Sequence, residues 1–158
     1  MRRLILVRHG AAAARAESGG DLERPLTAEG RQAIKALAQR LSAHGPPDAI
    51  LRSPARRTAE TVEVLVRALG WTVPPVIEDR LYPGDSPALL QCLHELDPAL
   101  ERVLVVGHNP DIAELAAYLG GGSAPREFRP GAAAIFETAE PWSKLGSRTT
   151  TLVAAYPP

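Results

Sequence analysis

Two histidines and two arginines lie in short polar segments that each follow an apolar run of the sequence. Arg8 and His9 end the first run, Arg57 stands a few residues beyond the second, and His108 closely follows a later one. Neutral imidazole is a good nucleophile near neutral pH, because its unperturbed pKa is about 6.5. A guanidinium group binds phosphate oxygens through a bidentate fork and keeps its charge. These residue types together favour attack of a histidine on phosphorus, with arginines stabilising the transferred group.

The apolar runs and the patterns between them predict alternating strands and helices. Residues 4–7 and 103–106 are continuous apolar runs of the kind found in strands buried on both faces. The alternation predicts an α/β fold, a three-layer α/β/α sandwich with a mainly parallel central sheet. Strands are predicted at 4–7, 49–51, 73–77 (at an edge), 103–106, 132–136 and 150–156, and helices from Thr27, Ser53-Pro54, Pro87 and Asn109-Pro110.

The polar segments are expected to meet at one edge of this sheet. The carboxyl ends of parallel strands lie on the same side, where ligands bind in α/β folds. Ser53-Pro54 and Asn109-Pro110 each combine a helix-capping residue with a proline suited to the first helical turn. Free N–H groups at helix starts favour anions, so the predicted ligand is a phosphate.

Composition narrows the class of protein. The 158 residues suit a single domain spanning 1–158, and 18 basic side chains balance 18 acidic ones. This balance gives no indication of a nucleic-acid or membrane surface, and aromatics at 4% are too scarce for a base-stacking platform. The lone Cys92 cannot form an internal disulfide, and no apolar stretch reaches membrane-spanning length, so we expect a cytoplasmic protein. The oligomeric state is left open.

Four segments resemble motifs of the histidine-phosphatase (phosphoglycerate-mutase-like) superfamily, in order and spacing. They are Leu-Val-Arg8-His9-Gly10, Arg24-Pro25-Leu26-Thr27-x-x-Gly30, Ser53-Pro54-x-x-Arg57-x-x-x-Thr61 and Gly107-His108-Asn109-Pro110. The resemblance implies a phosphoglycerate-mutase-like fold with His9 as the phosphorylated nucleophile. It also implies that Arg8 and Arg57 bind phosphate and that His108 hydrogen-bonds it. The scheme requires no metal and no cofactor.

The interval between the Ser-Pro motif and the second histidine is short. Many members of the superfamily insert a lid there and place a glutamate acid after a leucine, whereas this chain has Leu81-Tyr82-Pro83-Gly84-Asp85. The short interval and the missing glutamate resemble the SixA-type phosphohistidine phosphatases, a minimal version of the fold without the lid insertion. An alkoxide leaving group needs a proton donor, whereas a phosphohistidine can leave as neutral imidazole. Asp85 and Glu78 remain the candidate acids.

The expected activity is hydrolysis of phosphate monoesters or phosphoramidates through phospho-His9. The preferred substrate is a phosphohistidine on a partner protein, as in a phosphorelay or phosphotransfer system. A small-molecule phosphatase acting on a sugar or nucleotide phosphate is the first alternative. Phosphoglycerate mutase activity is disfavoured by the missing lid and acid. A phosphate-binding module without turnover is the alternative from another class of protein, although such a module has no need for a nucleophilic histidine.

Overall fold

The computed structural model describes all residues from 1 to 158, and a six-stranded sheet forms its centre. The strands are β1 (Arg2–Arg8), β2 (Ala49–Arg52), β3 (Pro75–Ile77), β4 (Arg102–Gly107), β5 (Ala133–Thr138) and β6 (Thr150–Tyr156). The helices are α1 (Ala28–Leu41), α2 (Arg56–Leu69), α3 (Ser86–His94) and α4 (Asp111–Gly120). The predicted alternation of strands and helices is therefore confirmed.

The strands follow the order β3-β2-β4-β1-β5-β6 across the sheet. The first four strands in this order are parallel, and β5 and β6 pair antiparallel at one side. Arg8 at the end of β1 pairs with Gly107 at the end of β4, and Arg52 at the end of β2 pairs with Val106. The carboxyl ends of these three strands consequently lie side by side, as the sequence predicts.

Helices cover both faces of the sheet, which confirms the three-layer α/β/α sandwich. Leu4 and Leu6 of β1 belong to a buried cluster with α3 and α4, whereas Ile5 and Val7 belong to a second cluster with α1 and α2. Because successive side chains of a strand point to opposite faces, a strand covered on both faces must be apolar at every position. This requirement explains the continuous apolar run at the start of the chain.

The helix starts agree with the sequence at one place and differ at two. Thr27 caps α1, and its side chain accepts a hydrogen bond from Gly30 N at 2.9 Å. The prediction that Ser53 caps α2 is wrong, because α2 begins at Arg56 and the Ser53 hydroxyl lies against His108. The predicted cap at Asn109 is also displaced, since α4 begins at Asp111, although the Asn109 side chain still accepts from Ala113 N.

The segment between α2 and β4 carries no lid insertion. It contains β3, a three-residue strand at the edge of the sheet, and α3 of nine residues. The irregular edge strand predicted around Pro74 and Pro75 is therefore confirmed in a shorter form, as expected for residues that cannot donate to a ladder. None of the helices combines the length and apolar composition needed to cross a bilayer.

Candidate active site

A cavity of about 510 Å³ opens at the carboxyl edge of the sheet. The structure brings all four residues singled out from the sequence, Arg8, His9, Arg57 and His108, into its lining. The backbone N–H of His9 donates to the carbonyl of Gly107 at 3.1 Å, which ties the end of β1 to the end of β4. The two histidine rings consequently lie close together, with their centroids 5.1 Å apart.

The ring of His9 is fixed by its own neighbour in the chain. Its Nδ1 lies 2.7 Å from the carbonyl oxygen of Gly10, which can only accept a hydrogen bond, so Nδ1 carries the proton. The N–H of Gly10 in turn donates to Thr61 Oγ1 at 3.0 Å, and this hydroxyl donates to the carbonyl of Arg57 at 2.7 Å. This arrangement leaves Nε2 of His9 as an unprotonated nitrogen with a lone pair.

The surroundings of His9 keep its imidazole neutral. Burial lowers its pKa to about 4, and the charges of Arg57, Arg8 and Arg24 act in the same direction. The hydrogen bond to Gly10 opposes this shift but does not overcome it. The ring is therefore neutral throughout the neutral pH range, with its proton on Nδ1 and a lone pair on Nε2, as a nucleophile must have.

Arg8 and Arg57 place two guanidinium groups at the cavity. Arg8 Nη1 donates to the carbonyl of Phe128 at 3.0 Å, and Arg57 donates to the backbone oxygen and the carboxylate of Asp21 at 2.8 and 3.1 Å. The Nε atoms of both arginines are buried and have no acceptor within the protein. Because guanidinium groups bind oxyanions through charge-assisted hydrogen bonds, two of them lining one cavity fit a site for an oxyanion.

His108 is held from behind by the segment that precedes α2. Its Nε2 lies 2.7 Å from Ser53 Oγ, and this hydroxyl also lies 3.0 Å from Thr58 Oγ1. Burial lowers the pKa of His108 to about 3, with further contributions from the charges of His9 and Arg57. With Nε2 engaged by Ser53, Nδ1 is the ring nitrogen left to contact a ligand.

A family model of the histidine phosphatase superfamily (branch 1) matches residues 4–82. The chain belongs to the histidine phosphatase superfamily. An uncharacterized protein of Picosynechococcus is 38% identical over 121 residues, which cover 75% of this chain and 73% of the relative. This histidine phosphatase is consequently a hydrolase that acts on phosphate groups.

This histidine phosphatase is similar to solved structures of SixA phosphatases. A protein of Nakamurella multipartitia that is assigned as a SixA phosphohistidine phosphatase superposes with a TM-score of 0.83 at 29% identity, covering 99% of this chain and 96% of the other. A protein histidine phosphatase SixA complexed with tungstate gives a TM-score of 0.82 at 26% identity, covering 98% and 96%. An α-ribazole phosphatase of Shigella flexneri, 19% identical with a TM-score of 0.64, shares the fold.

Tyr82 lines the site in this histidine phosphatase and Asp21 holds it by a hydrogen bond, and sequence patterns revealed neither role. The Tyr82 hydroxyl donates to the Asp21 carboxylate, which also accepts from Arg24 Nε at 2.9 Å. These hydrogen bonds, that of Tyr82 first, lower the pKa of Asp21 to about 2. The Tyr82 ring lies 5.3 Å from the ring of His108 and 5.6 Å from the Arg57 guanidinium carbon. Asp21 therefore ties Arg24, Arg57 and Tyr82 together.

The two carboxylates considered as acids do not line the cavity. Asp85 caps α3 by accepting from Ala88 N at 2.8 Å, and Glu78 pairs with Arg80 at 2.7 Å. Asp111 is the carboxylate that lines the cavity. Its position three residues after His108 could have pointed to Asp111 in the sequence. Acidic residues are common in the first turn of a helix, however, so this position alone does not indicate a site residue. No three histidine, cysteine or carboxylate side chains form a group suited to a metal ion.

Proposed function

We propose that this histidine phosphatase removes phosphate from a phosphohistidine of a partner protein, through a covalent phosphohistidine intermediate on His9. The observation that carries the proposal is the hydrogen bond from His9 Nδ1 to Gly10 O at 2.7 Å, which frees Nε2 at the cavity. A neutral imidazole held in one tautomer has its nucleophilic lone pair ready to attack, without a separate base.

The first step transfers the phosphoryl group. His9 Nε2 forms a bond to phosphorus while the bond from phosphorus to the substrate nitrogen breaks, and the electron pair of that bond stays on the substrate imidazole. Arg8 and Arg57, whose guanidinium groups line the cavity, stabilise the oxygens of the transferring group. His108 donates a hydrogen bond from Nδ1 to the same group.

The second step returns the enzyme to its starting state. Water attacks phosphorus, the bond to His9 Nε2 breaks, and inorganic phosphate leaves. The proton on His9 Nδ1 stays on the ring throughout, because Gly10 O accepts a hydrogen bond from Nδ1 in both states. His9 consequently departs as neutral imidazole, a much weaker base than an alkoxide.

The choice of a protein substrate rests on the open site and on the leaving group. The segment between α2 and β4 carries no lid insertion, and the part of it that lines the cavity is the short stretch 81–84. The two SixA proteins described above, which this chain resembles in structure, are named as a phosphohistidine phosphatase and a protein histidine phosphatase. A substrate phosphohistidine protonated at its second ring nitrogen also leaves as neutral imidazole and needs little acid assistance.

The proposal is tested by phosphate release from a phosphohistidine peptide and a matched phosphoserine peptide. The wild type is compared with His9→Ala and with His44→Ala, since His44 lies outside the cavity and contacts Tyr156. We expect faster release from phosphohistidine, abolished in His9→Ala and retained in His44→Ala. Retained activity in His9→Ala contradicts the role of His9, and faster release from phosphoserine contradicts the preferred substrate and favours the small-molecule ester alternative.

A further inference from the structure

Asp111 is a carboxyl group inside the cavity that the proposed cycle does not use. It is the first residue of α4 and lines the cavity together with His9 and His108. It is only 7% exposed, and the one hydrogen bond that bears on its carboxylate comes from its own backbone N–H. A buried carboxyl without a partner side chain is costly when ionised, so such a group needs an explanation.

The surroundings of Asp111 favour its protonated form. Burial raises its pKa above the ordinary value, and the negative charges of Asp85 and Glu114 raise it further. The two neighbours come from the cap of α3 and from the next turn of α4. The other charged or titratable residues that line the same cavity are Arg8, His9, Arg24, Arg57, Tyr82 and His108.

We propose that Asp111 is a proton donor to the leaving group, and that it gives this chain a phosphomonoesterase activity on alkyl esters beside its action on phosphohistidine. The inference rests on the proposed function, because both substrates require attack by His9. Among the carboxyl groups considered as acids, only Asp111 lines the cavity. The Tyr82 hydroxyl is a poorer donor, since its hydrogen bond to Asp21 raises its pKa and engages its proton.

In the ester reaction, Asp111 supplies the proton that the leaving oxygen needs. As His9 Nε2 bonds to phosphorus, the bond between phosphorus and the ester oxygen breaks and its electron pair passes to that oxygen. The Asp111 carboxyl transfers its proton there, so an alcohol leaves instead of an alkoxide. The second step is the same as for phosphohistidine and does not involve Asp111. The Asp111 carboxylate then regains a proton from solvent, which restores the acid for the next cycle.

The decisive measurement compares two esters that differ in the basicity of their leaving groups. A phosphoserine peptide releases a strongly basic alkoxide, whereas p-nitrophenyl phosphate releases a weakly basic phenolate. Asp111→Asn keeps the shape of the side chain and is neutral, as the protonated acid is, so we expect it to fold. We expect its kcat to fall ~10²–10⁴-fold on phosphoserine and less than about tenfold on p-nitrophenyl phosphate. Glu78→Gln is the matched control and leaves both rates unchanged, because Glu78 lies outside the cavity.

A second variant changes the pH dependence of ester hydrolysis, which would stay the same if Asp111 had only a structural role. Asp85→Asn keeps a good cap for α3 but removes a charge that raises the pKa of Asp111. Hydrolysis of phosphoserine should therefore decline at lower pH in Asp85→Asn than in the wild type, since the acid loses its proton earlier.

Three results would overturn the inference. They are an equal loss on both esters in Asp111→Asn, no loss on either ester, and a wild type that hydrolyses phosphohistidine but not phosphoserine. The last result leaves the proposed function intact. Activity in His9→Ala would instead overturn the proposed function, so the two failures are distinguishable.

Discussion

Ser53 Oγ lies 2.7 Å from Nε2 of His108, and both side chains are buried. The neighbouring Thr58 hydroxyl lies 2.8 and 2.7 Å from two backbone carbonyls, so its proton goes to a carbonyl and its oxygen stays an acceptor. Ser53 can therefore donate to a neutral His108, or accept from a protonated one and donate to Thr58 instead. Nδ1 of His108 keeps its proton for the phosphoryl group in both states.

Removing this hydroxyl should impair catalysis more than binding. A hydrogen bond between neutral groups is worth about 0.5–1.5 kcal/mol, so we expect Ser53→Ala to lower kcat roughly 2- to 10-fold. KM should change little, because Arg8 and Arg57 still bind the phosphate. Steady-state kinetics measured well below the unfolding temperature provide the test, with Ser42→Ala as a control because that exposed hydroxyl only bonds Gln39 O. An unchanged kcat in Ser53→Ala contradicts the positioning role.

Thr61 should act on His9 through Gly10. Its hydroxyl accepts from Gly10 N at 3.0 Å, and the carbonyl of Gly10 holds the His9 ring. Thr61→Val has a similar shape but leaves the buried N–H without an acceptor, at a cost of about 1–3 kcal/mol in the free energy of unfolding. We expect Thr61→Val to lower both stability and kcat, whereas Thr61→Ser retains kcat. The kcat values are compared under conditions in which urea unfolding shows both variants to be folded. Equal kcat values for Thr61→Val and Thr61→Ser would refute the action of Thr61 on His9.

The guanidinium fork of Arg57, and not its charge alone, should be required. Arg57 is only 4% exposed and its Nη atoms are fixed by Asp21. Lysine keeps the charge but cannot present two parallel donors, so we expect Arg57→Lys to lower kcat/KM ~10²–10³-fold. The neighbouring Arg56 is exposed, pairs with Glu60 and does not line the cavity, so Arg56→Lys should leave kcat/KM unchanged. Equal behaviour of the two lysine variants would contradict the assignment.

The two site histidines should titrate well below the ordinary range. The pKa values are lowered to about 4 for His9 and about 3 for His108, mainly by burial. Between about pH 6.5 and pH 4 the unfolded chain then binds protons that the folded chain does not, so the free energy of unfolding falls as pH falls. Urea unfolding across this window measures the effect. Nitrogen NMR of labelled histidines should show both rings neutral at pH 6, and midpoints near 6.5 would contradict the burial argument.

Much of the fold was predictable because local patterns report burial directly. The run at 4–7 is apolar throughout since its two faces meet different helix layers, and the motif order places Arg8, Arg57 and His108 at one sheet edge. The cap assigned to Ser53 failed for a physical reason. Its hydroxyl serves a histidine 55 residues away, and no pattern within the segment records such a partner.

The remaining parts of the site depend on contacts between distant segments. Asp21 and Tyr82 are 61 residues apart, and only the folded chain brings them together beside Arg57. Asp85 lies near the position where many relatives have a glutamate acid, but its carboxylate caps α3. Asp111 sits next to a recognised motif, yet a first-turn acid is so common that its burial had to be seen in the structure.

The most direct test of the account is capture of the phosphoenzyme. The protein is mixed with a ³²P-labelled phosphohistidine peptide, quenched in alkali within milliseconds, and digested to locate the label. We predict an acid-labile, alkali-stable label on the peptide that contains His9, absent from His9→Ala and present in His44→Ala. A wild type that releases phosphate without ever carrying label, or a label that persists in His9→Ala, would contradict the proposed attack of His9 on phosphorus.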